Sequence, residues 1–141
     1  MLSILALIAA VTSESPRAVP IEEVNAAIWH DLELNATIGN GNWIASLWYN
    51  AGSDQRPDLH IRELTCRGRG PGYRCSFTLF RDGGVAMVLG EKAPDTLTCE
   101  ADLVRGTGKA GEAALSVKHL PPLPRGGHSR TTMRCKDSRT H

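Results

Sequence analysis

The stretch Asp58–Phe80, DLHIRELTCRGRGPGYRCSFTLF, constrains the fold of this chain more than any other. It reads as two strands joined by a Gly/Pro-rich reversal, with Cys66 and Cys75 on either side of the turn. Tyr73, Cys75, Phe77 and Leu79 share one parity, and Arg74, Ser76 and Thr78 share the other. That is the period-2 pattern of a strand with one buried face. The first strand is less regular, because Leu64 and Cys66 lie on one parity and Leu59 and Ile61 on the other. A turn centred between Gly70 and Pro71 sets the two cysteines directly opposite. A non-hydrogen-bonded pair is then about 4.5 Å apart at Cα, close enough to bridge. A type II turn centred on Pro71-Gly72 moves the register and separates the sulfurs. The first register is preferred because it provides the cysteines with a bond.

The N-terminal run Leu2–Val11, LSILALIAAV, is too short to cross a bilayer as a helix. It fits the apolar core of a secretory signal cut after Ser13, with Val11 at the −3 position, although no Lys or Arg precedes it. The expected organisation is a signal peptide over 1–13, a linker over 14–19, a single domain over 20–136 and a frayed tail over 137–141. No transmembrane segment is expected once the signal is removed. The implied location is secreted or periplasmic, where thiols oxidise. Four cysteines then imply two disulfides, with three connectivities open. Cys99 shares a phase with Leu97, Ala101 and Leu103, and Cys135 shares one with Met133, so Cys66–Cys75 and Cys99–Cys135 are expected. In the chain-entropy description such loops contribute roughly 2.7 and 3.8 kcal/mol. A four-cysteine zinc site is disfavoured by the absence of any CxxC pair, and no metal or cofactor is expected.

The rest of the chain reads as a helix followed by short strands. Pro20–Leu34 carries Ile21, Val24, Ala27, Ile28 and Leu32 at helical spacing. Asn40-Gly41 is a hairpin signal, and Leu32–Ile38 can pair with a strand over Asn42–Asn50. Further strands are expected over Val85–Leu89, Thr96–Val104, Glu112–Lys118 and Thr131–Lys136. The fold class is α+β: an N-terminal helix packed on a single twisted antiparallel sheet of five to six short strands, stapled by two disulfides. The order is similar in outline to cystatin-like folds, but none of that family's inhibitory motifs is present. With 141 residues, 41% of them hydrophobic, and a net charge of +1, the chain is neither a disordered tail nor a nucleic-acid binder dominated by charge.

Catalytic motifs are absent. Gly106–Lys109 (GTGK) lacks the upstream Gly and the following Ser or Thr of a phosphate loop. Lys118–Pro124 (KHLPPLP) fits a stiff connector better than a polyproline ligand. The histidines show no HxxxH or HExxH spacing, though His30 and His119 can meet in space as an acid/base pair. Asn35-Ala36-Thr37 is a glycosylation sequon. Arg67, Arg69 and Arg74 crowd the hairpin tip and are the candidate anion site. Trp43, Trp48 and Tyr49 are a second candidate surface. The expected role is a non-catalytic binding or inhibitor-like module outside the cytoplasm, meeting an envelope protein or an anionic polymer. The alternatives are a small secreted hydrolase using a His and a carboxylate brought together by the fold, or a structural envelope protein.

Overall fold

Strands Leu59–Arg69 (β1) and Gly72–Arg81 (β2) form the expected hairpin. Arg69 pairs with Gly72, so the turn is Gly70-Pro71, and Cys66 stands opposite Cys75. Gly70 has φ +54°, and proline holds φ near −65° at the next position, the φ pattern of the II′ turns that suit right-handed strand twist. The uneven parity of β1 has a structural cause. Between Arg62 and Thr65 the register slips by one residue, a β-bulge in which Glu63 takes φ +54°. The extra residue lets Leu59 and Ile61 before it, and Leu64 and Cys66 after it, all pack on the core.

The computed structural model describes residues 19–51, 59–82, 86–88, 90–106, 114–124 and 129–138. The expected signal peptide, and the Gly106–Lys109 turn beyond Gly106, lie outside them. Thr96–Arg105 (β5) is the central strand. It pairs antiparallel with β2 along one edge, Phe77 opposite Cys99 and Cys75 opposite Ala101. Its other edge is shared by Leu115–Val117 (β6) and Arg134–Asp137 (β9), which completes a five-stranded sheet. Cys99 stands opposite Cys135. Both disulfides, Cys66–Cys75 and Cys99–Cys135, therefore join directly opposed residues. All four sulfurs are in S–S bonds, and none is a free thiol. Ala86–Val88 (β3) and Glu91–Ala93 (β4) form a separate hairpin, and His119–Leu120 (β7) pairs with Arg130–Thr131 (β8). The expected closing strand over Thr131–Lys136 is thus divided between β8 and β9.

Two helices cover the inner face of the sheet. Ile21–Ile38 (α1) runs beyond the expected end at Leu34, and Gly39 closes it at φ +77° with its N–H donating to the Asn35 carbonyl. The expected strand over Asn42–Asn50 is instead the helix Trp43–Ala51 (α2). Ala45, Trp48 and Tyr49 are buried at i, i+3 and i+4, the period of a helix, and not on the alternate residues that a strand would bury. Asn40-Gly41 is accordingly a helix–helix turn and not a hairpin, with Gly41 at φ +96°. The core joins Val24, Ile28 and Leu32 of α1 and Trp48 of α2 to Phe77, Leu79, Leu97 and Leu103 of the sheet. Arg105 grips Glu23 in the first turn of α1 with two hydrogen bonds, at 3.0 and 3.3 Å. Those bonds hold the Glu23 carboxyl below its ordinary range and raise Arg105. The stability this pair contributes is present above the ordinary carboxyl range and disappears as pH falls through the lowered value.

Gly72 is buried where the hairpin tip meets β5. A Cβ built there would lie 1.8 Å from the Leu103 carbonyl oxygen. Gly72→Ala is expected to cost about 2–3 kcal/mol or more in denaturant unfolding. Gly68→Ala, with nothing within 4 Å, is the control and should change stability by about 0.5 kcal/mol at most. Equal effects at the two positions would refute the close approach.

Candidate functional site

Register dictates what the uncovered face of the sheet presents. The inward row of β2 (Cys75, Phe77, Leu79) and that of β5 (Leu97, Cys99, Ala101, Leu103) are buried, so the alternate residues face outward. They line up in rows across the strands: Arg67, Arg74 and Asp102; then Thr65, Ser76, Glu100 and Arg134; then Arg62, Thr78, Thr98 and Lys136. Hydroxyl side chains occupy much of the middle and cations both edges. A depression of about 300 Å³ is lined there by Ser76, Thr98, Glu100, Arg134 and Lys136 together with the Cys99–Cys135 bridge.

The three arginines expected at the tip differ in their surroundings. Arg74 donates to Asp102 at 3.0 Å and lies 2.9 Å from Glu100. Burial pulls its pKa down, but the hydrogen bond and charge of Asp102, with Glu100, outweigh burial and raise it. Arg69 donates to the same Asp102 oxygen at 3.2 Å. Arg67 is exposed and, among the described residues, makes no ion pair, as is also true of Arg134 and Lys136. Arg62 stacks on Phe80, its guanidinium 4.0 Å from the ring centroid, beside a His60–Asp82 contact of 2.7 Å. Of the aromatic candidates, Trp48 and Tyr49 are buried and only Trp43 is exposed, at 67%.

A second constellation lies on the helix side. Asp31 and Asn35 occupy positions on the buried stripe of α1. Asp31 Oδ2 accepts the Thr131 hydroxyl at 2.7 Å, and its Oδ1 accepts Asn40 Nδ2 at 3.2 Å and lies 2.5 Å from His119 Nε2. His119 Nδ1 is in turn 2.8 Å from the Ser129 hydroxyl. Asn35 donates through Nδ2 to the Asn42 carbonyl and accepts the Asn40 N–H. The Asn35 amide of the sequon is thus engaged, and the residue is only 4% exposed. Asp31 and His119 line a groove of about 380 Å³ between α1 and the edge strand β6, and His30 lines it as well. The fold thus brings the expected His30 and His119 to one groove, with His119 bonded to Asp31 and not to His30.

Sequence reasoning missed Asp31, Ser129 and Thr131. A polar residue at the buried phase of an amphipathic helix was the available signal for Asp31. Ser129 carried none, since its partner is ten residues away on another strand. No metal-binding group of three His, Cys, Asp or Glu occurs among the described residues, and no helix there is long and apolar enough to cross a membrane. Thr131→Val keeps the shape but leaves the buried Asp31 oxygen and the Met133 N–H without this hydroxyl. The expected loss is about 1–3 kcal/mol by denaturant unfolding, against about 0.5 kcal/mol or less for Thr98→Val on the exposed face. No protein-family model matches the chain, and neither a curated protein nor a solved structure is significantly similar to it.

Proposed function

We propose that this protein is an exported domain of the periplasm or extracellular space that binds an anionic partner across the open face of its sheet. The observation that supports this reading is the placement of Arg67 on one side of a hydroxyl-rich middle and Arg134 and Lys136 on the other, all exposed and outside ion pairs among the described residues. Arg69 and Arg74 of the original tip contribute less, because Asp102 and Glu100 already neutralise them. Two disulfides fit an oxidising compartment. A second reading, a small hydrolase working through a His and a carboxylate, is favoured by the His119–Asp31 contact beside the groove.

Export is expected to remove residues 1–13, which an intact mass of protein from its native host measures; a full-length cytosolic species contradicts it. Binding to dextran sulfate should weaken with added salt. Arg67→Ala combined with Arg134→Ala should lower the affinity by roughly 0.2–1 kcal/mol per charge, and Arg69→Ala by less. Wild-type protein that does not bind dextran sulfate at low salt would remove the basis of this reading.

A further inference from the structure

Asp31, His119 and Ser129 come from three separate segments: the middle of α1, the first residue of β7 and the residue preceding β8. They join in one hydrogen-bonded chain, carboxylate to imidazole to hydroxyl. We propose that Ser129 is a nucleophile, His119 its general base and Asp31 the residue that positions the base, and that together they hydrolyse small carboxylic esters. This rests on the hydrolase reading above and deepens it by naming the nucleophile and the substrate class.

The argument is one of roles and geometry. A carboxylate only accepts hydrogen bonds, so His119 presents the N–H of Nε2 to Asp31. The lone pair of Nδ1 then faces the Ser129 hydroxyl at 2.8 Å, within reach for proton transfer. The ring is turned the other way from that of the serine proteases, in which Nε2 meets the serine. The role needs one nitrogen held by a carboxylate and the other on the hydroxyl, and either ring nitrogen can accept the proton. Asp31 itself is fixed: it is 3% exposed, and Thr131 and Asn40 hold its two oxygens. Ser129 is half-buried, not sealed in the core. The neighbouring groove has apolar walls from Ala27, Leu34 and Val117, which suit the hydrocarbon part of an ester. His30 and Lys118 are the ionisable groups there besides Asp31 and His119.

The chemistry balances without any co-reactant but water. Ser129 Oγ attacks the ester carbonyl carbon as its proton passes to His119 Nδ1, forming a C–O bond. The bond to the alkoxide leaving group breaks, and His119 returns the proton to it, releasing the alcohol. Water attacks the acyl-serine and gives a proton to His119; the bond from the acyl carbon to Ser129 Oγ then breaks, His119 passes that proton to Oγ, and the carboxylic acid leaves.

The test is labelling of the full-length protein with a fluorophosphonate probe, the adduct being mapped by peptide mass. One adduct, on Ser129, is expected. Ser129→Ala should abolish it, and His119→Gln should slow it by about 10²-fold or more per folded molecule, with folding followed by circular dichroism. Labelling of the wild type should rise with pH, because a general base must be unprotonated to accept the Ser129 proton, and His119→Gln should remove that rise. Asp31→Asn should displace the pH profile. Thr98→Val, on the opposite face of the sheet and outside this network, should not. Wild-type protein that is folded and unlabelled at Ser129 overturns the proposal. If it also fails to hydrolyse p-nitrophenyl acetate in a His119-dependent way, the hydrolase reading falls with it; if that hydrolysis persists, only the role of Ser129 is lost.

Discussion

Strand Thr96–Arg105 is the constraint on which the rest of this structure depends. One edge is taken by β2 and the other is divided between β6 and β9, so the hairpin and the C-terminal strand are both positioned through it. Its inward row of Leu97, Cys99, Ala101 and Leu103 is almost wholly removed from water. Shifting a strand by one residue would turn that row outward, so burial of four side chains holds the register firmly. The two disulfides then follow as consequences of register, because Cys66 and Cys135 each meet their partners at opposed positions. Where β6 ends and β9 has yet to begin, Thr132 fills the gap. Its hydroxyl accepts the Asp102 N–H and donates to the Lys118 carbonyl at 2.7 Å.

The same register determines the chemistry of the open face. Once the apolar parity of β5 is inward, Thr98, Glu100 and Asp102 must face out, beside Ser76 and Arg74 of β2. The acids therefore fall in the middle of the sheet, within reach of the tip arginines. Arg67, Arg134 and Lys136, which make no ion pair among the described residues, stand at its two margins. A cluster of like charges that looks concentrated in the sequence becomes a partly neutralised tip and a broader cationic border.

Buried polar groups govern the helix side. Asp31 and Asn35 replace two turns of the apolar stripe of α1, and a buried carboxylate without partners would be strongly unfavourable. The fold answers with donors from three places: the interhelical turn through Asn40, β8 through Thr131, and β7 through His119. The Thr131 N–H donates in turn to the Asn40 carbonyl. This network docks the β7–β8 arm on the helices, and it also sets an imidazole between a fixed carboxylate and a hydroxyl. Packing and chemistry there rest on the same atoms.

Local signals determined much of this protein. Alternation in Tyr73–Leu79 and Thr96–Val104 marked two strands and their inward faces, because a period of two is written directly in neighbouring residues. Cysteine spacing around Gly70-Pro71 marked the hairpin register. The helix stripe through Val24, Ala27, Ile28 and Leu32 was equally plain. The broken parity of β1 was visible too, and only pairing with β2 identified it as a bulge at Glu63. Tertiary structure decided what local pattern left ambiguous. Trp43–Ala51 contains residues that favour strands, yet it folds as a helix because that places Ala45, Trp48 and Tyr49 together against the core. The meeting of Asp31, His119 and Ser129, and the neutralisation of Arg69 and Arg74 by Asp102, join residues from 10 to 88 positions apart. No local period encodes such pairs: hydrogen-bond partners over those distances exist only once the chain has closed on itself.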